Sequence, residues 1–228
     1  VTPLGANSVL PARREALAFT TADQVTLRGE IALPDWTPPI ATLVCVHPLT
    51  THDGSMQSHL FRKMSWRLPA LAGLAVLRFN MRGAGSGAEL SGGQFDECRS
   101  EGLDLGAVLS YVTSAGLPEP WLVGWSFGTD VTLKYGDRAP VAGAILLSPP
   151  LRYTTDEELR RWAIDGRPLT ALVPDRDEFL QPDEATKRFA AVPQARVVAC
   201  DALHLWVGEK QVRSALAGIL DTVLPDHQ

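Results

Sequence analysis

The chain's 228 residues, 45% hydrophobic and 21% charged, are enough to bury a sizeable core without disulfides or metal staples, which excludes a disordered tail or a cross-linked miniprotein. A net charge of −5, with the basic residues scattered rather than clustered, excludes an electropositive arm for nucleic acid or for an anionic membrane. No apolar stretch approaches the ~20 residues that span a bilayer.

Taken in chain order, strand-like and helix-like segments alternate. Val25–Leu33 alternates apolar and polar residues, as a half-buried antiparallel strand does. Ala41–Val46 is a continuous β-rich apolar run ending at His47-Pro48. Phe61–Leu71 has the spacing of a helix, Leu74–Phe79 that of a buried strand, and Asp96–Val112 again that of a helix. Pro120–Val123 predicts a short strand, Phe127–Tyr135 a helix and Val141–Leu147 a strand closed by Ser148-Pro149-Pro150. There follow a short helix over Asp156–Ile164, a strand over Leu169–Val173, a helix over Asp183–Ala191, a strand over Arg196–Ala199 and a last helix over Gly208–Val223. Such alternation predicts an α/β fold, a mainly parallel sheet with helices on both faces, over residues 1–228 as one domain. Ligands of such sheets bind beyond the carboxyl ends of the strands.

Gly124-Trp125-Ser126-Phe127-Gly128 is a G-x-S-x-G pentapeptide lying between a predicted strand and a predicted helix. In that setting the serine occupies a strained turn whose neighbours crowd it, and glycine at 124 and 128 removes the Cβ atoms that would clash. Ser126 is therefore the candidate nucleophile. A hydroxyl is a weak nucleophile and needs a base. In this arrangement the chain order is serine, acid, histidine. Of the five histidines only His204 and His227 follow Ser126, and His227 sits in a tail expected to fray. His204, in the loop after Arg196–Ala199, is the candidate base.

A carboxylate must hold the tautomer of that histidine. The loop after Leu169–Val173 offers Asp175, Asp177 and Glu178. Asp177 is the first choice, Asp175 the second and Glu178 the third. Two backbone N–H groups must cradle a developing oxyanion. One is expected from Phe127 and the other from the loop His47-Pro48-Leu49-Thr50. Pro48 has no N–H, so Leu49 is the expected donor, with Thr50 as alternative. His47 is expected to orient that loop.

Other signals carry less. Gly83–Ala88 fits G-x-G-x-x-A after a strand, but Gly92-Gly93 follows where a helix should open, so no dinucleotide site is expected. His47, His52, Asp53 and His59 match no metal-ligand spacing. Trp125, Phe127, Met56, Leu151, Tyr153 and Trp206 are candidates to line a pocket. Cys45, Cys98 and Cys200 have neither metal nor redox spacing and suit a reducing compartment. Val1–Leu10 lacks the basic start and apolar stretch of a secretory leader, so a cytoplasmic location is expected.

With these residues in place the chain resembles the small α/β-hydrolases without a lid domain, near the dienelactone-hydrolase-like bacterial proteins. The resemblance runs from about Ala41 to the final helix. It rests on His47-Pro48-Leu49, Gly54-Ser55-Met56, Leu77-Arg78-Phe79-Asn80, Arg82-Gly83-Ala84-Gly85-Ser86, the pentapeptide, Ser148-Pro149-Pro150, Asp175-Arg176-Asp177-Glu178 and His204. It implies the α/β-hydrolase fold, a triad of Ser126, Asp177 and His204, and an oxyanion donor near Leu49. It departs at Pro174, where relatives carry glycine, and at Thr129, where they carry a smaller residue, which implies a narrower site. Dienelactone hydrolases proper use cysteine as nucleophile, so their substrate does not carry over.

The expectation is a serine carboxylesterase acting on a small-molecule ester through an acyl-enzyme, without cofactor or metal and with no nucleic-acid or membrane partner. The segment Ser148–Pro168 is too short for a lid that buries a long acyl chain, so short acyl chains are favoured. Two alternatives use the same residues: a hydrolase fold kept as a binding or scaffold protein, and acyl transfer or peptide hydrolysis. The oligomeric state is unreadable from sequence.

Overall fold

The structure, a computed structural model, describes residues 4–225, so His227 and the first three residues of the Val1–Leu10 segment lie outside the described residues. Eight strands form one sheet: β1 (Arg13–Thr20), β2 (Thr26–Leu33), β3 (Ala41–Val46), β4 (Leu74–Phe79), β5 (Pro120–Trp125), β6 (Gly143–Leu147), β7 (Leu169–Pro174) and β8 (Ala195–Cys200). Their order across the sheet is β1-β2-β4-β3-β5-β6-β7-β8. β2 pairs antiparallel with both β1 and β4, and from β4 onward every pairing is parallel. The crossovers are α1 (His59–Ala72), α2 (Glu101–Ser114), α3 (Phe127–Tyr135), α4 (Asp156–Asp165) and α5 (Pro182–Phe189), and α6 (Glu209–Val223) follows the last strand.

The central strands read as unbroken apolar runs because both faces are covered. Successive side chains of a strand point to opposite faces. Leu43 and Cys45 of β3 accordingly pack with Leu60, Phe61, Met64 and Leu68 of α1 and with Val212, Leu216 and Ile219 of α6. Val44 and Val46 enter the other layer, with Leu105, Val108 and Leu109 of α2, Val131 of α3 and Trp162 of α4. The fold is thus two apolar layers on one sheet, as the alternation predicts.

Two elements differ from the sequence reading. β1 is absent from it, because Arg13-Arg14-Glu15 begins the strand and only Phe19 of its eight residues is buried. It exists through full-length pairing with β2, and a charged edge strand of this kind discourages pairing with other chains. The helix predicted from Asp96 begins only at Glu101. Glu97 and Cys98 hold φ values of 50° and 65°, which no helix accommodates.

Candidate active site

At the carboxyl end of β5 the chain turns abruptly into α3, and Ser126 occupies the turn with φ 51° and ψ −120°. Packing explains why the flanking positions are glycine. A Cβ on Gly128 would lie 2.0 Å from the Val46 carbonyl oxygen. One on Gly124 would lie 2.6 Å from the Gly128 oxygen. The Ser126 N–H donates to the Leu147 carbonyl at 2.9 Å, and its own carbonyl accepts from the Thr129 N–H at 2.8 Å and the Thr129 hydroxyl at 2.7 Å. Thr129 is fully buried in this role, so it secures the turn and does not narrow the cavity as the sequence implied.

The Ser126 hydroxyl lies 2.9 Å from His204 Nε2. His204 Nδ1 lies 3.0 and 2.9 Å from the two oxygens of Asp177. Both partners of that pair are withdrawn from water, with Asp177 2% and His204 5% exposed. The Asp177 carboxylate also accepts the Phe179 N–H at 2.9 Å, and the Phe179 ring meets the His204 ring edge-on at 4.6 Å. Asp175 and Glu178, the other acids of this loop, are exposed. Asp175 accepts the Ala202 N–H at 3.3 Å and pairs with Arg176. The site residues named from sequence therefore meet in space at Ser126, His204 and Asp177.

The loop after β3 brings Pro48 and Leu49 to the same place. Buried His47 fixes it: Nδ1–H donates to the Pro48 carbonyl at 2.6 Å, and Nε2 accepts the Met81 N–H at 2.9 Å. Only a neutral ring makes both bonds. Burial supports that state by holding the His47 pKa down at about 4. Leu49 and Phe127 both line the cavity beside Ser126. The Phe127 N–H, at the first turn of α3, has no intrahelical partner, and no described hydrogen bond engages the Leu49 N–H.

That cavity has a volume of about 70 Å3 and is walled by Leu49, Phe127, Pro150, Tyr153 and Phe179. Of the six apolar residues suggested from sequence, Phe127 and Tyr153 line it. Trp125, Met56, Leu151 and Trp206 are buried elsewhere in the packing.

Asp130, which the sequence reading passed over, holds the far wall. One turn after Ser126 on α3, it accepts the Tyr153 N–H at 3.0 Å and the Thr154 hydroxyl at 2.6 Å. Burial raises its pKa, the bonds to these donors opposing the rise. An acid four residues beyond the elbow serine, on the same helix face, was the available signal. Phe179 was also missed, although it stands two residues after Asp177.

Gly83–Ala88 opens no α-helix, running instead into a single 3-10 turn at Gly87–Glu89, and the Asn80 side chain donates across it to the Glu89 carbonyl at 2.8 Å. Among the described residues no three histidine, cysteine or acidic side chains are grouped to hold a metal. All three cysteines are buried and unpaired, and burial pushes the Cys45 thiol up to about 12, which disfavours its thiolate. No described helix is long and apolar enough to cross a membrane.

No family model matches the chain, and comparison with curated proteins finds no match. Solved structures do match. An α/β serine hydrolase without lid from Xanthomonas campestris is 24% identical, with 95% of this chain and 96% of that one covered at a TM-score of 0.76. An α/β serine hydrolase homologue from Coxiella burnetii is 23% identical, over 92% and 97%, at 0.74. An esterase from Pyrococcus furiosus is 20% identical, over 92% of each chain, at 0.74. The α/β-hydrolase fold expected from sequence is therefore the fold of this chain.

Proposed function

We propose that the protein is a single-domain serine hydrolase that cleaves carboxylic esters carrying short acyl groups. The observation that carries this reading is the hydrogen-bonded line from Ser126, at the mouth of an apolar cavity, through buried His204 to buried Asp177. Ser126 Oγ attacks the ester carbonyl while His204 Nε2 takes its proton. Asp177 holds the Nδ1–H tautomer and stabilises the imidazolium that forms. The Phe127 and Leu49 amides stabilise the oxyanion of the tetrahedral intermediate. His204 then protonates the departing alcohol. Water, deprotonated by the same nitrogen, attacks the acyl-enzyme and releases the carboxylic acid. The named activities of the structural neighbours, serine hydrolases and an esterase, support the reaction class.

Cavity size supports the acyl preference. A water molecule needs ~10–15 Å3 of such space, so about 70 Å3 accommodates on the order of five non-hydrogen atoms. Each further methylene stays in water and forgoes the ~0.8 kcal/mol that burial contributes. On a p-nitrophenyl ester series, kcat/KM should peak between acetate and butyrate and fall by octanoate, with Ser126→Ala inactive throughout. A steady rise through decanoate contradicts the short-chain reading, and an active Ser126→Ala contradicts the hydrolase reading.

A further inference from the structure

His204 rides on an irregular loop, so its distance from Ser126 depends on what fixes that loop. We propose that Ser148 is a positioning residue for the reaction, setting His204 through a hydrogen bond from its hydroxyl to the His204 carbonyl; this rests on the roles given above to Ser126 and His204. Ser148 stands directly after β6 and is 1% exposed. Its Oγ lies 2.9 Å from the His204 carbonyl oxygen and 2.8 Å from the Trp206 indole nitrogen. A carbonyl only accepts and an indole N–H only donates, so the direction of both bonds is fixed. The same carbonyl accepts the Trp125 indole N–H at 3.2 Å. The base is thus clamped through its own peptide group by residues at the ends of β5 and β6.

The backbone around Ser148 completes the connection. Leu147, its neighbour, accepts the Ser126 N–H at 2.9 Å. The Ser148 N–H donates to the Leu172 carbonyl of β7, the strand that leads to Asp177, at 3.0 Å. One dipeptide therefore bonds to the nucleophile, to the strand of the acid and to the base. Both ends of the Ser148–Trp206 bond are held in the left-handed region, with φ 50° at Ser148 and 52° at Trp206. Non-glycine residues in that region carry a backbone cost, and such positions cluster where geometry is over-determined by function. A shift of ~1 Å in a reacting group lowers turnover by up to ~100-fold.

Ser148→Gly is the informative variant, because glycine keeps the left-handed backbone without strain while removing the hydroxyl together with its Cβ. The full chain should retain its circular dichroism, with a melting temperature lowered by a few degrees because the buried Trp206 indole N–H loses its acceptor. Its kcat on p-nitrophenyl butyrate should fall on the order of 10–100-fold with KM within about twofold. Fluorophosphonate labelling of Ser126 should slow in parallel. The downfield proton resonance of the His204 Nδ1–H should move or broaden, which a role confined to packing would not cause. A variant with wild-type kcat overturns the inference, as does a loss of kcat that leaves the His204 resonance unchanged. The two readings fail separately. Full activity in Ser126→Ala removes the hydrolase reading itself. An inactive Ser126→Ala beside a fully active Ser148→Gly removes only the role of Ser148.

Discussion

The elbow between β5 and α3 and the loops after β7 and β8 deliver their residues to one point by different means. Ser126 is placed by backbone crowding: Gly128 lies so close to β3 that a single methyl would strike the Val46 carbonyl at 2.0 Å. Asp177 and His204 sit on irregular chain and are held by hydrogen bonds, local ones at Asp177 and distant ones at His204. The donors to the His204 carbonyl come from 56 and 79 residues away in sequence. The proposed nucleophile, set by sterics, cannot be moved without disturbing the core, whereas the proposed acid and base, set by hydrogen bonds, can be disabled with the core untouched. The elbow should therefore fail as a folding defect and the loops as a chemical one.

The largest expected effect breaks the loop side alone. Asp177→Asn should lower turnover on the order of 10^4-fold, because an amide facing Nδ1 favours the wrong histidine tautomer, while the thermal midpoint changes little. Asp175→Asn, on the exposed side of the same loop, should stay within about threefold of wild type. Steady-state kinetics of the two variants decide the matter, and the reverse ranking would transfer the role to Asp175.

Gly128→Ala breaks the elbow side. Overpacking of a tight core costs about 1–3 kcal/mol, and the contact with Val46 places this site at the upper end. Denaturant unfolding should show that loss together with loss of activity. A stable but inactive variant would show that the elbow can be displaced without cost to the core, against the comparison.

A smaller effect sharpens the comparison at the loop after β3, where His47 combines burial with hydrogen bonds. Its pKa is held near 4 in the folded chain against 6.5 for an unperturbed histidine. Between those values the unfolded chain binds a proton that the folded chain refuses. Stability from this residue is therefore complete above pH 6.5 and declines as pH falls through the window, by up to about 3 kcal/mol. His47→Gln, which still offers an acceptor to the Met81 N–H, should give a shallower decline in unfolding free energy between pH 7 and pH 4.5. Parallel curves for the two proteins would assign the acid sensitivity to other groups.

The same contrast explains what the sequence discloses. The elbow is legible because its cause is local: five residues carry the strained turn and both glycines that permit it. The apolar runs of β3 to β7 are legible because both faces of those strands are buried. β1 is not, since a charged edge strand exists only through its partner β2. The turn at Glu97-Cys98 escapes for the same reason, because helical spacing continues through it while the backbone does not. In the acid loop three neighbouring carboxylates have nearly the same local context, and only packing against His204 distinguishes Asp177. Asp130 and Ser148 act through contacts with distant loops. Sequence shows the first as an acid in a helix and the second as the start of a proline-rich turn.

The central claim is that Ser126 is the activated nucleophile. Treatment of the full chain with a fluorophosphonate, followed by intact-protein mass spectrometry and peptide mapping, tests it directly, since only an activated serine attacks phosphorus readily. The account predicts a single adduct on the peptide containing Ser126 and no adduct in Ser126→Ala. Equal labelling of the two proteins, or an adduct mapped to another serine, would contradict it.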